Sequence, residues 1–193
     1  GLQGARLNDL SGLTHLTALT GLDLSGIGPF EKGVRKVPAD LNGIDKLSNL
    51  EQLALARGIL KDKDIIALQN MPKLKELDLS ENQLSDISPL AGLANLTELN
   101  LNYNYVSDIK PLSGLEKLQK LDLSRNNILD ITALGGLTGL KELNVATNGI
   151  SDISVLKTLS GLERLNLAGN CLTMRQLAEV APPQAELGYQ WGV

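Results

Sequence analysis

Residues 74–82 read Leu-Lys-Glu-Leu-Asp-Leu-Ser-Glu-Asn, and this string decides the fold because its pattern returns four more times along the chain. Leucine occupies positions 1 and 4 of every copy, leucine or valine position 6, and asparagine position 9. The copies begin at Leu74, Leu96, Leu118, Leu140 and Leu162, so the period is 22 residues throughout. A fixed period of this length is typical of a solenoid, in which each repeat forms one coil of the chain.

The first half of each repeat predicts a short strand. Apolar and polar residues alternate from residue 76 to residue 80, which is the period of a strand with one buried face. Because one 22-residue coil cannot enclose a core alone, we expect the strands of successive coils to form a parallel sheet. The asparagines at position 9 follow the strands, and we predict that their amides form a buried ladder with backbone groups of adjacent coils.

The second half of each repeat predicts a 3₁₀ or short helical turn. An Asp-Ile pair, such as Asp86-Ile87, precedes apolar residues spaced by three, as at Leu90 and Leu93. Aspartate readily accepts hydrogen bonds from the first amides of a helical turn. Pro89 and Pro111 come early in this segment, where a missing amide hydrogen costs least.

The N-terminal repeats follow the same pattern less regularly. Gly58 stands at position 9 of the repeat that begins at Leu50, and 31 residues rather than 22 separate the strand leucines Leu22 and Leu53. The excess forms an irregular insertion at residues 25–39, with turn-forming residues at both ends and no run long enough to pair securely as a strand. We expect it to bulge from the edge of the stack. Because residues 2–16 are already in register, we also expect the chain to be excised from a longer protein.

The pattern changes near the C-terminus. We assign residues 1–172 to a solenoid of about seven repeats and residues 173–193 to a capping helix and tail. Thr173 and Gln176 have the spacing of a capping box that opens a short helix, and Pro182 and Pro183 end it. Residues 184–193 show no periodicity.

The unit at residues 74–93, with its Asp-Ile-x-Pro-Leu segment, resembles the repeat of internalins, the leucine-rich repeat proteins of bacterial surfaces. This resemblance implies an α/β fold: a right-handed solenoid with a parallel β-sheet on its concave face and 3₁₀ or short helical turns on its convex face. It also implies recognition of another protein through the concave face by a secreted or cell-wall-associated bacterial adhesin or host-interaction domain. Cytosolic phosphatase regulators have similar repeats, so the alternative is an intracellular regulatory or structural scaffold, and a cytoplasmic location stays open.

Composition and motifs argue against other classes of function. The net charge of −4 and pI near 5.1 provide no positive field for nucleic acid, and no apolar run is long enough to span a membrane. Cys171 and the single histidine, His15, lie several coils apart, and no phosphate-binding loop or nucleophile elbow appears. We therefore expect a monomer that is not an enzyme and has no catalytic residues, no cofactor and no metal site.

A contact surface can be chosen by reading each repeat position as a column across the coils. Positions 8 and 10 vary most, and position 8 holds arginine and tyrosine, which are enriched in binding hot spots. The predicted partner-binding residues are Tyr103, Tyr105, Arg125, Glu81, Asn102, Arg57 and Asp122. The alternative is that these are ordinary surface residues along the ridge.

Overall fold

The computed structural model describes residues 10, 12–26, 30–31, 34–35, 41–180 and 186–187, and short strands recur in it once per coil. The strands are β1 (Gly21–Asp23), β2 (Phe30–Glu31), β3 (Val34–Arg35), β4 (Gln52–Ala54), β5 (Glu76–Asp78), β6 (Glu98–Asn100), β7 (Lys120–Asp122), β8 (Glu142–Asn144), β9 (Arg164–Asn166) and β10 (Glu186–Leu187). All except β2 and β3 form one open parallel sheet in the order β1-β4-β5-β6-β7-β8-β9-β10. This confirms the predicted leucine-rich repeat solenoid.

The sheet keeps the register that the 22-residue period predicts. Leu77 lies opposite Leu99, Leu99 opposite Leu121, and Leu143 opposite Leu165. Position 4 therefore forms one continuous leucine column. Equivalent side chains stand next to each other along the stack, one strand spacing of about 4.8 Å apart.

The core is a stack of these aliphatic columns. At position 6, Leu79, Leu101 and Leu123 are fully buried. The position-4 leucines of the same coils are buried as well. Each such leucine contributes on the order of 2 kcal/mol by leaving water. Since every coil packs only against its two neighbours, this stabilisation accumulates along the stack.

The position-9 asparagines form the predicted buried ladder. Asn104 Nδ2 donates to the carbonyl of Leu79, in the preceding coil, at 3.0 Å and to the carbonyl of Leu101 at 3.1 Å. Its Oδ1 accepts the amide of Leu84, also in the preceding coil, at 3.0 Å. The same pattern recurs at Asn126. Each asparagine therefore closes the turn of the coil before its own.

Short 3₁₀ helices connect the strands, as predicted, at Ile44–Lys46, Asp62–Asn70, Ser88–Leu90, Lys110–Leu112, Thr132–Gly136 and Ser154–Thr158. Asp86 Oδ1 accepts the amide of Ser88 at 2.8 Å, and Asp130 accepts that of Thr132 at 2.8 Å. The bond from Thr132 holds the pKa of Asp130 below its usual value. Pro89 lies in the first turn of its helix, so its missing amide hydrogen leaves no bond unmade.

The insertion contains secondary structure that we did not expect. β2 and β3 pair antiparallel, with Phe30 opposite Arg35 and Glu31 opposite Val34. We expected no run there long enough to pair securely as a strand, and the ladder that forms has only two residues on each side. A local hairpin needs only a short loop to bring its strands together, so two residues a side suffice for a ladder that length alone does not suggest. The remainder of the insertion, apart from Ser25 and Gly26, lies outside the described residues.

The C-terminal region begins with the predicted helix, α1 (Met174–Val180). Its capping box is formed: the amide of Thr173 donates to Gln176 Oε1 at 2.8 Å, and Thr173 Oγ1 accepts the amide of Gln176 at 3.3 Å. Beyond it, β10 pairs in parallel with β9, with Glu186 opposite Arg164. The sheet thus continues in the 22-residue register past residue 172. Pro182, Pro183 and the rest of the tail lie outside the described residues, as do residues 1–9.

Candidate protein-binding surface

The outer face of the sheet forms a shallow groove of about 880 Å³ that extends from β1 to β9. Its lining consists of residues at positions 3, 4 and 5 of seven strands. From β4 to β9 the leucines of position 4 point into the core and are almost completely buried, as Leu77 and Leu99 show. The side chains of positions 3 and 5 therefore provide most of the groove surface.

Position 3 forms a row of side chains paired across neighbouring strands. Lys120 Nζ lies 2.8 Å from Glu98 Oε1, and Arg164 forms an ion pair with Glu142. The hydrogen bond to Glu98 raises the pKa of Lys120, and that from Arg164 lowers the pKa of Glu142. These pairs are largely exposed, so each contributes little to stability. They neutralise part of the groove floor.

Position 5 is occupied mostly by aspartate or asparagine. The side-chain oxygen of each accepts the backbone amide of the residue two positions later. Asp122 Oδ1 accepts the amide of Ser124 at 2.9 Å, and its Oδ2 accepts Nδ2 of Asn144 at 3.0 Å. Asn102, at position 7, donates its Nδ2 to Ser124 Oγ at 2.6 Å. Both predicted contact residues are therefore engaged in holding the ends of the strands.

Position 8 has an unusual backbone conformation in each coil where the structure describes it. Its φ is positive: 59° at Arg57, 55° at Glu81, 56° at Tyr103 and at Arg125, and 55° at Thr147. Glycine fills this position only in the first and last coils that the structure describes, as Gly26 and Gly169. The left-handed conformation costs a residue with a side chain about 1 kcal/mol. The five coils between Gly26 and Gly169 therefore have residues with side chains at a position where glycine would be less strained.

The position-8 amides fix this conformation by extending the ladder beyond the strands. The amide of Tyr103 donates to the carbonyl of Ser124 at 2.9 Å, and that of Arg125 donates to the carbonyl of Ala146 at 2.8 Å. Consecutive position-8 residues are thus anchored side by side along one edge of the groove. We call this row, Arg57, Glu81, Tyr103, Arg125 and Thr147, the rim.

Four of the predicted contact residues belong to the rim, and a fifth lies beside it. Arg57 Nε lies 2.9 Å from Glu81 Oε1. The Arg125 guanidinium lies 6.0 Å from the centre of the Tyr103 ring. Tyr105, at position 10, is 58% exposed, and Tyr103 is 57% exposed. The structure therefore brings Tyr103 and Arg125 together on an accessible edge, with Tyr105 exposed two residues further along the chain, outside the groove lining that includes Asp122.

One accessible apolar residue was missed by sequence reasoning. Leu129, at position 12, is 68% exposed, and its Cδ2 would lie 2.5 Å from a Cβ placed on Gly149 of the next coil. Serine occupies position 12 of the adjoining coils, at Ser107 and Ser151. Reading that column would have singled out Leu129, as the position-8 column singled out Tyr103.

The described residues hold no group of three or more histidine, cysteine or acidic side chains arranged to bind a metal ion. Cys171 is exposed beside α1, and His15 is exposed in the first coil. Among the parts of the chain that the structure describes, no helix has the length and apolarity needed to cross a lipid bilayer.

Known proteins share both the sequence pattern and the fold. A family model of paired leucine-rich repeats matches residues 72–114, 94–136 and 116–158. No curated protein matches the chain in sequence. Among solved structures, a leucine-rich repeat protein of Leptospira interrogans is 26% identical with a TM-score of 0.73, and the match covers 89% of this chain and 49% of that protein.

Two internalins of Listeria monocytogenes are similar over most of their length. Internalin C2 is 32% identical with a TM-score of 0.81, covering 93% of this chain and 75% of that one. A second internalin, inlF, is 28% identical with a TM-score of 0.61, covering 96% and 72%. With its 22-residue period, its asparagine ladder and this likeness, the chain belongs to the internalin-type family of leucine-rich repeat proteins.

Proposed function

We propose that the chain is a recognition module that binds a protein partner across the groove and its rim. The observation that carries this proposal is the rim itself, where exposed tyrosine and arginine side chains stand in a row at positions that glycine would occupy with less strain. Leucine-rich repeats of this type generally serve protein–protein interaction rather than catalysis. Binding offers a reason for retaining side chains there despite the strain.

The groove and the rim have different parts in this proposal. The groove floor is polar and partly neutralised by its own ion pairs, so it provides a broad surface of modest affinity. The rim carries the aromatic and guanidinium groups that dominate the free energy of most protein interfaces. We therefore assign the principal contacts to Tyr103, Tyr105 and Arg125, with Arg57 and Glu81 beside them.

We also propose that the protein acts at a bacterial surface or after secretion, as an adhesin or host-facing factor. The listerial internalins with the same architecture support this assignment. The partner would then be an extracellular protein, bound by a monomeric solenoid.

The proposal is tested by identifying a partner and then mapping its contacts. The immobilised chain is exposed to extracellular proteins, retained proteins are identified by mass spectrometry, and each is purified for affinity measurement by interferometry. Replacing Tyr103 with alanine should weaken binding about tenfold or more, the effect of losing a hot-spot aromatic residue.

The matched control is Ile66→Ser. Ile66 is 51% exposed on the 3₁₀ helix Asp62–Asn70 and does not line the groove. Binding by this variant should stay within about twofold of wild type. If the partner tolerates Tyr103→Ala but not Ile66→Ser, the recognition surface lies on the helical side and the proposal is wrong.

A further inference from the structure

Arg125 differs from the other arginines whose side chains the structure describes. Arg57 pairs with Glu81, Arg164 with Glu142 and Arg175 with Glu179. Arg125 is exposed, and within the described residues its guanidinium meets no carboxylate, only the ring of Tyr103 at 6.0 Å. It is therefore a cation that the fold itself leaves without a counter-charge.

The surroundings of Arg125 explain why no counter-charge is available. Its neighbours at position 8 are Tyr103 and Thr147, and the neighbouring residues at positions 7 and 10 are also uncharged. The nearest acid along the strand, Asp122, has both carboxylate oxygens occupied by Ser124 and Asn144. No carboxylate of the described residues pairs with this guanidinium, so it is available to an anion of another molecule.

The same column shows what a carboxylate would do there. At Arg57 the next coil supplies Glu81, whose Oε1 lies 2.9 Å from Arg57 Nε. At Arg125 the adjacent residues are the aromatic Tyr103 and the short Thr147. The guanidinium lies over the aromatic ring at the outer limit of a cation–π contact, and its hydrogen-bond donors have no acceptor among the described residues. A guanidinium presented in this way matches a carboxylate in bidentate geometry.

We propose that Arg125, held over Tyr103, receives the side-chain carboxylate of an aspartate or glutamate of the protein partner. Tyr105, which is exposed two residues beyond Tyr103 in the chain, contacts an apolar side chain beside that acid. This inference rests on the proposed function, since it names the chemistry of the partner at the rim. It assigns Arg125 the charge selectivity and the tyrosines the contact area.

The test uses two peptides that differ in one group. Acetyl-Gly-Leu-Glu-Leu-Gly-amide and its glutamine counterpart are titrated into the full chain, and the side-chain Nε–Hε resonance of Arg125 is followed by NMR. The glutamate peptide should bind saturably at ~millimolar concentration and about fivefold more tightly than the glutamine peptide, as an exposed ion pair allows. Raising the salt concentration from about 0.05 to about 0.5 M should reduce that preference.

Variants identify the group responsible. Arg125→Gln should bind both peptides equally, whereas Arg175→Gln, which changes an exposed arginine on α1, should retain the fivefold preference. Equal binding of the two peptides by the wild-type chain, or no saturable shift of the Arg125 resonance, would overturn the inference. A preference that survives in Arg125→Gln would overturn it as well.

Failure here is distinguishable from failure of the proposed function. Equal binding of the two peptides, together with a tenfold loss of partner affinity in Tyr103→Ala, would rule out the contact between Arg125 and a carboxylate. The rim would still be the contact surface for the partner. A preference for the glutamate peptide together with unchanged partner affinity in Tyr103→Ala would show a charge-selective site that the partner does not use, and the proposed function would fail at this surface.

Discussion

The coil that contains β4 differs from the coils that contain β5 to β9 at position 9 of the repeat. In the former, position 9 is asparagine, and its side chain bonds back to the coil before it, as Asn104 does to Leu79 and Leu84. In the coil of β4 the residue is Gly58, so the coil of β1 receives no such bonds. The insertion at residues 25–39 follows β1 directly. The largest excess of chain is thus found where this clamp is missing.

The local packing explains why asparagine is absent from this place. A Cβ on Gly58 would lie 3.1 Å from Leu60 Cγ and 3.2 Å from Asn82 Oδ1. Asn82 Oδ1 accepts two amides there, those of Gly58 and Leu60, at 3.0 and 2.9 Å. In the next coil along, Asn104 Oδ1 accepts only that of Leu84. The altered turn of the β4 coil, two residues longer than the regular repeat, thus occupies the space of a side chain.

Asn104→Ala should have the largest effect, because it removes the clamp from a regular coil. The change leaves the amide of Leu84 and the carbonyl of Leu79 without their buried partner. We expect the free energy of unfolding to fall by about 3 kcal/mol, measured by urea denaturation. Asn127→Ala, at exposed position 10, is the control and should cost less than about 0.5 kcal/mol. Equal losses in the two variants would show that the ladder does not hold the coils.

Gly58→Ala tests the packing of the irregular β4 coil. The new Cβ is crowded by Leu60 and by Asn82 Oδ1, so we expect a loss of about 1–2 kcal/mol. Gly114→Ala is the matched control: no atom lies within 4 Å of a Cβ there, and the change should stabilise the chain by about 0.5 kcal/mol because alanine restricts the unfolded state. Thermal or urea unfolding measures both. A stabilised Gly58→Ala variant would contradict the packing argument.

Thr147→Gly tests the backbone strain at the rim and should have the smallest effect on the free energy of unfolding. Thr147 is β-branched and exposed with φ of 55°, whereas the first and last described coils have glycine there. Glycine relieves the left-handed strain but loosens the unfolded chain, so we expect a net gain of about 0.5 kcal/mol. Thr147→Ala keeps the strain and should gain less. The idea of a strained rim fails if calorimetry shows glycine to be the less stable of the two.

Much of this fold could be predicted from the sequence because each structural role recurs at one repeat position. Five copies of the position-9 asparagine indicated a shared backbone role, and Asn104 and Asn126 have it. Thr173 and Gln176 form their capping box because that motif depends only on local spacing. The pairing of β10 could not be foreseen, since two residues, Glu186 and Leu187, are too few to show a period.

The contact residues were less predictable because sequence columns do not show which side chains are already bonded. Asp122 and Asn102 were chosen as exposed polar residues, yet both bond to Ser124, which follows the strand of Asp122 and lies in the coil next to that of Asn102. The recurrence of aspartate or asparagine at position 5 was the signal that this column serves the backbone. Tyr103 and Arg125 belong to a variable column that serves no such backbone role, and the structure leaves both side chains accessible.

Each asparagine of the ladder bonds to the preceding coil, so a coil can be completed only after the next one has been synthesised. The amide of Leu84 meets its partner only when Asn104, 20 residues later, has been added to the chain. While the chain emerges from the ribosome, the last coil made therefore lacks the hydrogen bonds that the following coil will supply. Growth of this solenoid is vectorial: the newest coil is the least finished, and it acquires its last bonds from the one that follows.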